Sequence, residues 1–427
     1  MFCFVVLTIY AADRPNILVI ISDDQGYHDV GVHGSTEIPT PNIDSIAKNG
    51  VRFTSGYVSG PMCSPTRAAF LTGRYQQRFG HENNPRKNDG LSLEETTLAE
   101  RLKMAGYSTG LVGKWHLGSD EKHHPMSRGY EEFFGFLAAS HSYLDWGPGK
   151  HDDPIQRGRK PVAVEKTYLT EAFGREAADF MQRHAKDKKP FFLNLAFNAV
   201  HVPLESVEKY EKRFPNLRAG RLRYAAMASA MDDAVGVVLE KLRDAGLETN
   251  TIIFFFSDNG GAPGNCSTNT PLRGFKWQTL EGGIRVPFFV QWKGRLPAGK
   301  ILDQPVIQLD VHATALALAG VKLNSNPKPL DGVNLMPLLS GKSTAPPHDA
   351  LYWRLGEQKA IRMGDWKLVR HDESEKTELY NLAQDISESR DLAQSNPQKF
   401  KELQAAWDKW NAQNVPPAWG AEKKKKD

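Results

Sequence analysis

Cysteine is scarce: the chain has three, Cys3, Cys63 and Cys266. Loss of an N-terminal leader would leave two, so no disulfide framework can staple the fold and each thiol needs its own explanation. Long apolar runs are lacking after the N-terminus, which excludes stable membrane insertion through a spanning helix there. Charge of one sign is lacking as well. The formal net charge of +4 equals the four lysines Lys423–Lys426, so the body is balanced and offers no electrostatic argument for nucleic acid as a partner. The lysine run reads as a solvated tail. No self-similarity at a period of about 20–50 residues is present, which excludes a solenoid or propeller.

What remains is 427 residues, 40% hydrophobic, with 36 Gly and 26 Pro, a loop-rich globular chain able to hold one large α/β domain and a smaller unit. Phe2–Ile9 is apolar and runs into Ala11-Ala12 and then Asp13-Arg14-Pro15. It is expected to be a truncated secretion signal lacking the usual leading positive charges, which implies a periplasmic or extracellular location.

Asn16–Ser22 (NILVIIS) and Thr251–Ser257 (TIIFFFS) are continuous β-rich runs of the kind buried on both faces of a parallel sheet. Pro190–Phe197 is a third and Ser108–Val112 a weaker fourth. Helices are expected over Leu93–Ala105, behind a Ser92-Leu-Glu-Glu capping box, over Tyr168–His184 and over Leu222–Ala245. Alternating strands and helices predict an α/β fold with a mainly parallel central sheet flanked by helices. Beyond about Pro346 the pattern changes to short half-alternating segments and an amphipathic helix over Pro397–Asn411. The expected organisation is therefore a leader at 1–12, a catalytic domain over 13–345, and a smaller antiparallel sheet plus helix over 346–427.

Each apolar strand runs into polar residues: Asp23-Asp24, Asp258-Asn259, Lys114-Trp115-His116 and Asn198-Ala199-Val200-His201. In open α/β sheets ligands bind beyond the carboxyl ends of the strands, so these four endings are expected to converge on one edge. Asp23, Asp24, Asp258 and Asn259 offer only oxygen donors, which selects Ca²⁺, with Mg²⁺ as the alternative, over zinc. Either pair by itself would more simply cap a helix or make a turn. Two pairs at equivalent strand ends favour a cation. Cys63-Ser-Pro-Thr-Arg67 leads into a helix ending at Gly73. Its thiol is open to two readings, a buried structural group or one activated by the helix N-terminus and Arg67.

CSPTRAAFLTGRY resembles the signature of the type I sulfatases, whose core is Cys-x-Pro-x-Arg, with Thr66 where Ser is commonest. The resemblance extends through NILVIISDDQGYHDVG, GLVGKWHLG, the His201-Val-Pro element, FFFSDNGG, Gly274-Phe-Lys276 and Glu281-Gly-Gly-Ile-Arg-Val-Pro287. It implies an alkaline-phosphatase-like fold, hydrolysis of sulfate monoesters, and oxidation of Cys63 to formylglycine by a formylglycine-generating or equivalent maturation enzyme. By position it makes Asp23, Asp24, Asp258, Asn259 and residue 63 the cation's neighbours. Arg67 and Lys114 would hold the modified residue, and Lys276 would grip a sulfate oxygen. Asp258 is the base implied for attack, His201 the donor to the departing alcohol, and His116 the acceptor when the aldehyde reforms. The substrate is expected to be a sulfated small molecule or glycan. Ser140 and His141 fall where such enzymes often touch substrate. Loop aromatics including Trp146, Trp277 and Trp353 suit sugar stacking, and the His81–Asp89 loop with Trp353-Arg354 is the expected pocket rim. Two rivals remain: a phosphonate or phosphate ester hydrolase of the same superfold, and a sulfated-glycan-binding protein without catalysis.

Overall fold

The computed structural model describes residues 14–144, 153–162, 167–187, 189–323, 328–371 and 376–420. The expected leader, the Lys423–Lys426 tail and Trp146 lie outside them. In chain order the strands are β1 (Asn16–Ser22), β2 (Val51–Phe53), β3 (Gly56–Tyr57), β4 (Ser108–Lys114) and β5 (Glu132–Phe136). They continue with β6 (Gln156–Arg157), β7 (Lys160–Pro161), β8 (Phe191–Ala196), β9 (Thr251–Ser257), β10 (Phe288–Gln291), β11 (Lys300–Leu302) and β12 (Val306–Ile307). A C-terminal group follows: β13 (Leu351–Leu355), β14 (Gln358–Met363), β15 (Trp366–Arg370) and β16 (Glu378–Asn381).

The large sheet has the order β11-β2-β10-β9-β1-β8-β4-β5-β6-β7. Its centre, β9-β1-β8-β4-β5, is parallel throughout, with Ile17 opposite both Phe192 and Ile252. Successive side chains of a strand point to opposite faces. Leu18 and Ile20 accordingly enter one core with the helices Leu169–His184 and Ala219–Asp244. Ile17, Val19 and Ile21 enter the other, with Cys63–Thr72, Leu98–Met104 and Leu309–Leu318. This two-sided burial is why the strand reads as an unbroken apolar run. No described helix is long and apolar enough to cross a membrane.

The helix expected from Leu93 begins instead at Leu98, capped by Thr97. Thr97 Oγ1 accepts from the Glu100 amide at 3.1 Å, and the Glu100 carboxylate accepts from the Thr97 amide at 2.7 Å. The rival box at Ser92 does not form because the Glu95 carboxylate is engaged by Arg74 at 2.6 Å and Lys328 at 2.8 Å.

Strands β13 to β16 form an antiparallel sheet covered by the helix Pro397–Asn411. Trp353, Leu403, Trp407 and Trp410 share one apolar cluster with Tyr57, Ala69, Leu280 and Ile284, so this sheet packs directly against the part of the chain that carries the strand-end residues.

Candidate active site

Strands β9, β1, β8 and β4 are adjacent, and their carboxyl ends deliver Asp258-Asn259, Asp23-Asp24, Asn198–His201 and Lys114–His116 to the same edge. Asp24 and His116 adopt left-handed backbone conformations, φ 58° and 60°. Such conformations are costly for non-glycine residues and concentrate at functional sites. Between the Asp258-Asn-Gly-Gly turn and the Glu281-Gly-Gly segment close approach is required: a Cβ on Gly260 would lie 1.8 Å from the Gly282 carbonyl oxygen.

The helix Cys63–Thr72 presents Cys63 in its first turn, and all ten of its residues are buried. Pro65 costs nothing there, since the first amides of a helix have no partner within it. Cys63 Sγ lies 3.4 Å from Asp23 Oδ1 and 3.8 Å from Asp24 Oδ1 and accepts from Lys276 Nζ at 3.2 Å. Lys276 also meets Asp24 at 2.8 Å. Lys114 Nζ donates to Asp23 Oδ2 at 2.5 Å. Arg67 donates through Nε and Nη2 to Asp258 Oδ2, at 3.0 and 2.8 Å, and through Nη1 to the Lys114 carbonyl at 3.2 Å. His201 Nε2 is 3.7 Å from Asp24 Oδ2, while its Nδ1 donates to the Val202 carbonyl at 2.6 Å.

The electrostatics follow from burial. Desolvation opposes charge on Asp23, but Lys114 and His201 outweigh it and hold the carboxyl below its ordinary value. Desolvation, then the cations Lys114 and Arg67, push His116 well below the usual imidazole value, so the ring is held neutral. Its Nδ1 is buried without a hydrogen-bond partner. Burial first, then the Asp23 and Asp258 carboxylates, push the Cys63 thiol up. A thiolate activated by the helix terminus is therefore not what this site favours.

Asp23, Asp24, Cys63 and His201 each bring a ligand atom within 4.8 Å of the others. Asp258, turned toward Arg67, and Asn259, whose Nδ2 donates to Asp24 Oδ1 at 2.7 Å, stand at its margin. Asn259 Oδ1 is buried and unpartnered. An orphaned amide oxygen beside three carboxylates is a donor set suited to a hard cation.

Of the residues expected to touch substrate, Trp353 does not sit on a rim. It is fully buried, and its indole N–H donates to the Val58 carbonyl at 2.7 Å. Arg354 is spent on Glu82 at 2.5 Å and on Asn411 and the Val415 carbonyl, each at 2.6 Å. A sheet residue reads as surface in a half-alternating pattern, but packing against Tyr57 buries it here. Ser140 is exposed, and His141 is buried with Nδ1 on the Ser142 carbonyl at 2.8 Å. Trp277 is exposed beside Lys276.

Several supports are not singled out by the sequence reading. Ser64 Oγ donates to the His116 carbonyl at 2.7 Å and meets His81 Nε2 at 2.7 Å. Tyr143 donates its hydroxyl to the carbonyls of Asn198 and His201, at 2.5 and 2.8 Å. Asn265 bridges the Asp24 and Val200 carbonyls at 3.0 and 3.1 Å. Their one sequence signal is polarity at positions the fold buries.

Residues 15–321 match the family model described as Sulfatase, and residues 276–411 match N-sulphoglucosamine sulphohydrolase, C-terminal. The chain is 35% identical over 387 residues to N-acetylgalactosamine-6-sulfatase of Canis lupus familiaris, covering 84% of this chain and 72% of that one. It is 34% identical to Arylsulfatase J of Mus musculus, over 83% and 64%. The crystal structure of Ps i-CgsB in complex with k-i-k-neocarrahexaose superposes with a TM-score of 0.91 at 37% identity, over 96% of this chain and 95% of that one.

Proposed function

The chain belongs to the sulfatase family and is a sulfuric ester hydrolase; from that premise we propose that it releases sulfate from a sulfated glycan, using formylglycine made from Cys63 and one bound Ca²⁺ or Mg²⁺. The observation that carries the reading is the surroundings of Cys63, whose Sγ sits at a buried helix start within 3.8 Å of Asp23, Asp24 and Lys276. The likeness to Ps i-CgsB, solved in complex with k-i-k-neocarrahexaose, makes that oligosaccharide the first glycan to try. A likeness to the phosphonate monoester hydrolase of Agrobacterium radiobacter, at 21% identity, speaks for the fold alone. The apolar Phe2–Ile9 segment supports export, where such glycans are met.

As the chain stands, three carboxylates (Asp23, Asp24, Asp258) face three cations (Lys114, Lys276, Arg67). Asp23, Asp24, Asp258 and Asn259 would hold the metal, which supplies shielding of sulfate oxygens when bound. Formylglycine supplies a hydrated aldehyde as nucleophile. The rest falls to the chain's own groups. Lys276, at 3.2 Å from Sγ, is placed to hold an anionic oxygen beside residue 63. Asp258 is the base for attack, oriented by the two Arg67 contacts. His201 donates Nδ1–H to a carbonyl, so its Nε2 is the position from which a proton passes to the departing alcohol. His116, buried at the same strand edge, would be the residue that takes a proton from residue 63 as sulfate departs.

Sulfate release from an aryl sulfate and a panel of sulfated oligosaccharides, with residue 63 checked by peptide mass spectrometry, tests this. Release that disappears in Cys63→Ala is expected. No release from a chain with confirmed formylglycine and added Ca²⁺ would turn the assignment toward phosphonate or phosphate esters.

A further inference from the structure

A cavity of about 550 Å³ opens beside His116, walled by Asn84–Lys87 on one side and by Ala138, Ala139, Asp153 and Gln156 on the other. Its volume suits a sugar residue. Arg86 and Lys87 are exposed, and among the described residues neither side chain makes an ion pair or hydrogen bond. Asp153, on the facing wall, is turned to the backbone: its Oδ2 accepts from the Leu137 and Ala138 amides at 2.9 and 2.6 Å.

The loop that bears these cations is anchored at both ends. Trp419 donates its indole N–H toward the Asn83 and Asn84 carbonyls, at 3.2 and 3.0 Å, and its own carbonyl accepts from Asn83 Nδ2 at 3.0 Å. Glu82 is clamped by Arg354; just beyond the far end the Leu91 amide donates to the Leu117 carbonyl at 2.9 Å, and within the loop Asp89 accepts from the Arg86 amide at 3.0 Å. Arg86 and Lys87 thus line the same sugar-sized cavity as His116, one of the reaction-centre residues.

We propose that Arg86 and Lys87 form a subsite for a second sulfate ester, carried on the sugar residue next to the one that is cleaved. This deepens the sulfated-glycan reading and rests on it. Guanidinium and ammonium groups hold sulfate oxygens by charge-assisted hydrogen bonds, and an exposed pair of this kind is screened by salt.

The test is calorimetric binding to the full chain carrying Cys63→Ala, which cannot turn over, at low ionic strength. The ligands are oligosaccharides with one sulfate, with sulfates on two adjacent residues, and with a carboxylate replacing the second sulfate. The second sulfate is expected to tighten binding about tenfold, as one or two charge-assisted contacts would. Adding Arg86→Ala and Lys87→Ala together should erase that gain while leaving the singly sulfated ligand within about twofold, and Arg86→Lys should restore part of it. A gain that survives both substitutions, a gain equalled by the carboxylate, or no gain at all beside measurable binding of the singly sulfated ligand overturns the subsite alone. Failure of every sulfated oligosaccharide to bind overturns the glycan reading with it.

Discussion

Lys276 touches two things that matter, the Asp24 carboxylate at 2.8 Å and the sulfur of residue 63 at 3.2 Å. Burial works against its charge, but the Asp24 and Asp23 carboxylates hold the ammonium on. A cation fixed beside a reacting oxygen stabilises charge that develops in the transition state, and losing one such donor typically costs about 10²–10³ in rate. Lys276→Ala should therefore lower kcat/KM for sulfate release by that factor, with residue 63 still converted by mass spectrometry. An unchanged rate would remove Lys276 from the reaction. Asp24 is the matching test for the cation. A ligand that binds only the folded chain stabilises it by about 2.7 kcal/mol at a concentration 100 times Kd. Added Ca²⁺ should raise the melting temperature of the wild type and not of Asp24→Asn, read by scanning calorimetry; an equal rise in both would place the ion elsewhere.

At the scale of elements, the active-site edge is held from the C-terminal end of the chain. Trp419 packs on His81 with ring centroids 4.8 Å apart, His81 meets Ser64, and Ser64 holds the His116 carbonyl. Trp419→Ala frees the loop from Asn83 to Asp89 without opening the core. Trypsin should then cut after Arg86 or Lys87 several-fold faster than in the wild type, while global unfolding by urea moves little, since cleavage tracks local opening. Equal cleavage rates would show that the loop needs no such anchor. This latch was not legible in the sequence. Strands β1 and β9 were, residue for residue, because burial on both faces leaves an unbroken apolar run. So were the polar endings of the four adjacent strands, since the parallel sheet sends them to one edge. Contacts such as Ser64 with His81, or Asn83 with Trp419, join distant positions through single polar atoms and leave no periodic trace. The cap at Ser92 failed for a related reason. Ser92-x-x-Glu95 and Thr97-x-x-Glu100 are locally equivalent, and ion pairs made by Glu95 in the folded chain decide between them. Trp353 and Arg354 were misplaced because short alternating strands show which residues share a face, not which face is covered.

For the whole molecule the decisive contact lies between the large sheet's edge and the C-terminal sheet, where Lys367 is fully buried between two carboxylates. Its Nζ is 2.8 Å from Glu281 and 2.9 Å from Glu388. Glu281 also has Arg285 at 3.2 Å and the Tyr57 hydroxyl at 2.6 Å. Burial raises both acids, but Lys367 and Arg285 overcome it at Glu281, which stays ionised with a pKa near 2. At Glu388 burial wins, helped by the charge on Glu281, and its pKa rises to about 7. A carboxyl whose pKa is higher folded than unfolded binds more protons in the folded state, so its contribution is whole below the unfolded value of 4.5 and is lost as pH rises toward 7. Glu281 acts in the opposite sense and only in acid, as pH falls from 4.5 toward 2. Between pH 5 and 8 the pair therefore reduces to Glu388, with a loss on the order of 1–3 kcal/mol across that window. Glu388→Gln keeps the shape of the protonated acid and cannot ionise. Its stability relative to wild type, from urea unfolding, should rise by that amount between pH 5 and pH 8. A difference that stays flat with pH would mean that Glu388 is ionised in the folded chain and that Lys367 serves both carboxylates equally. Because the same contact seats Glu281 beside the turn that carries Asp258, loosening it at high pH should lower sulfate release in the wild type before the chain unfolds, and Glu388→Gln should extend the active range upward.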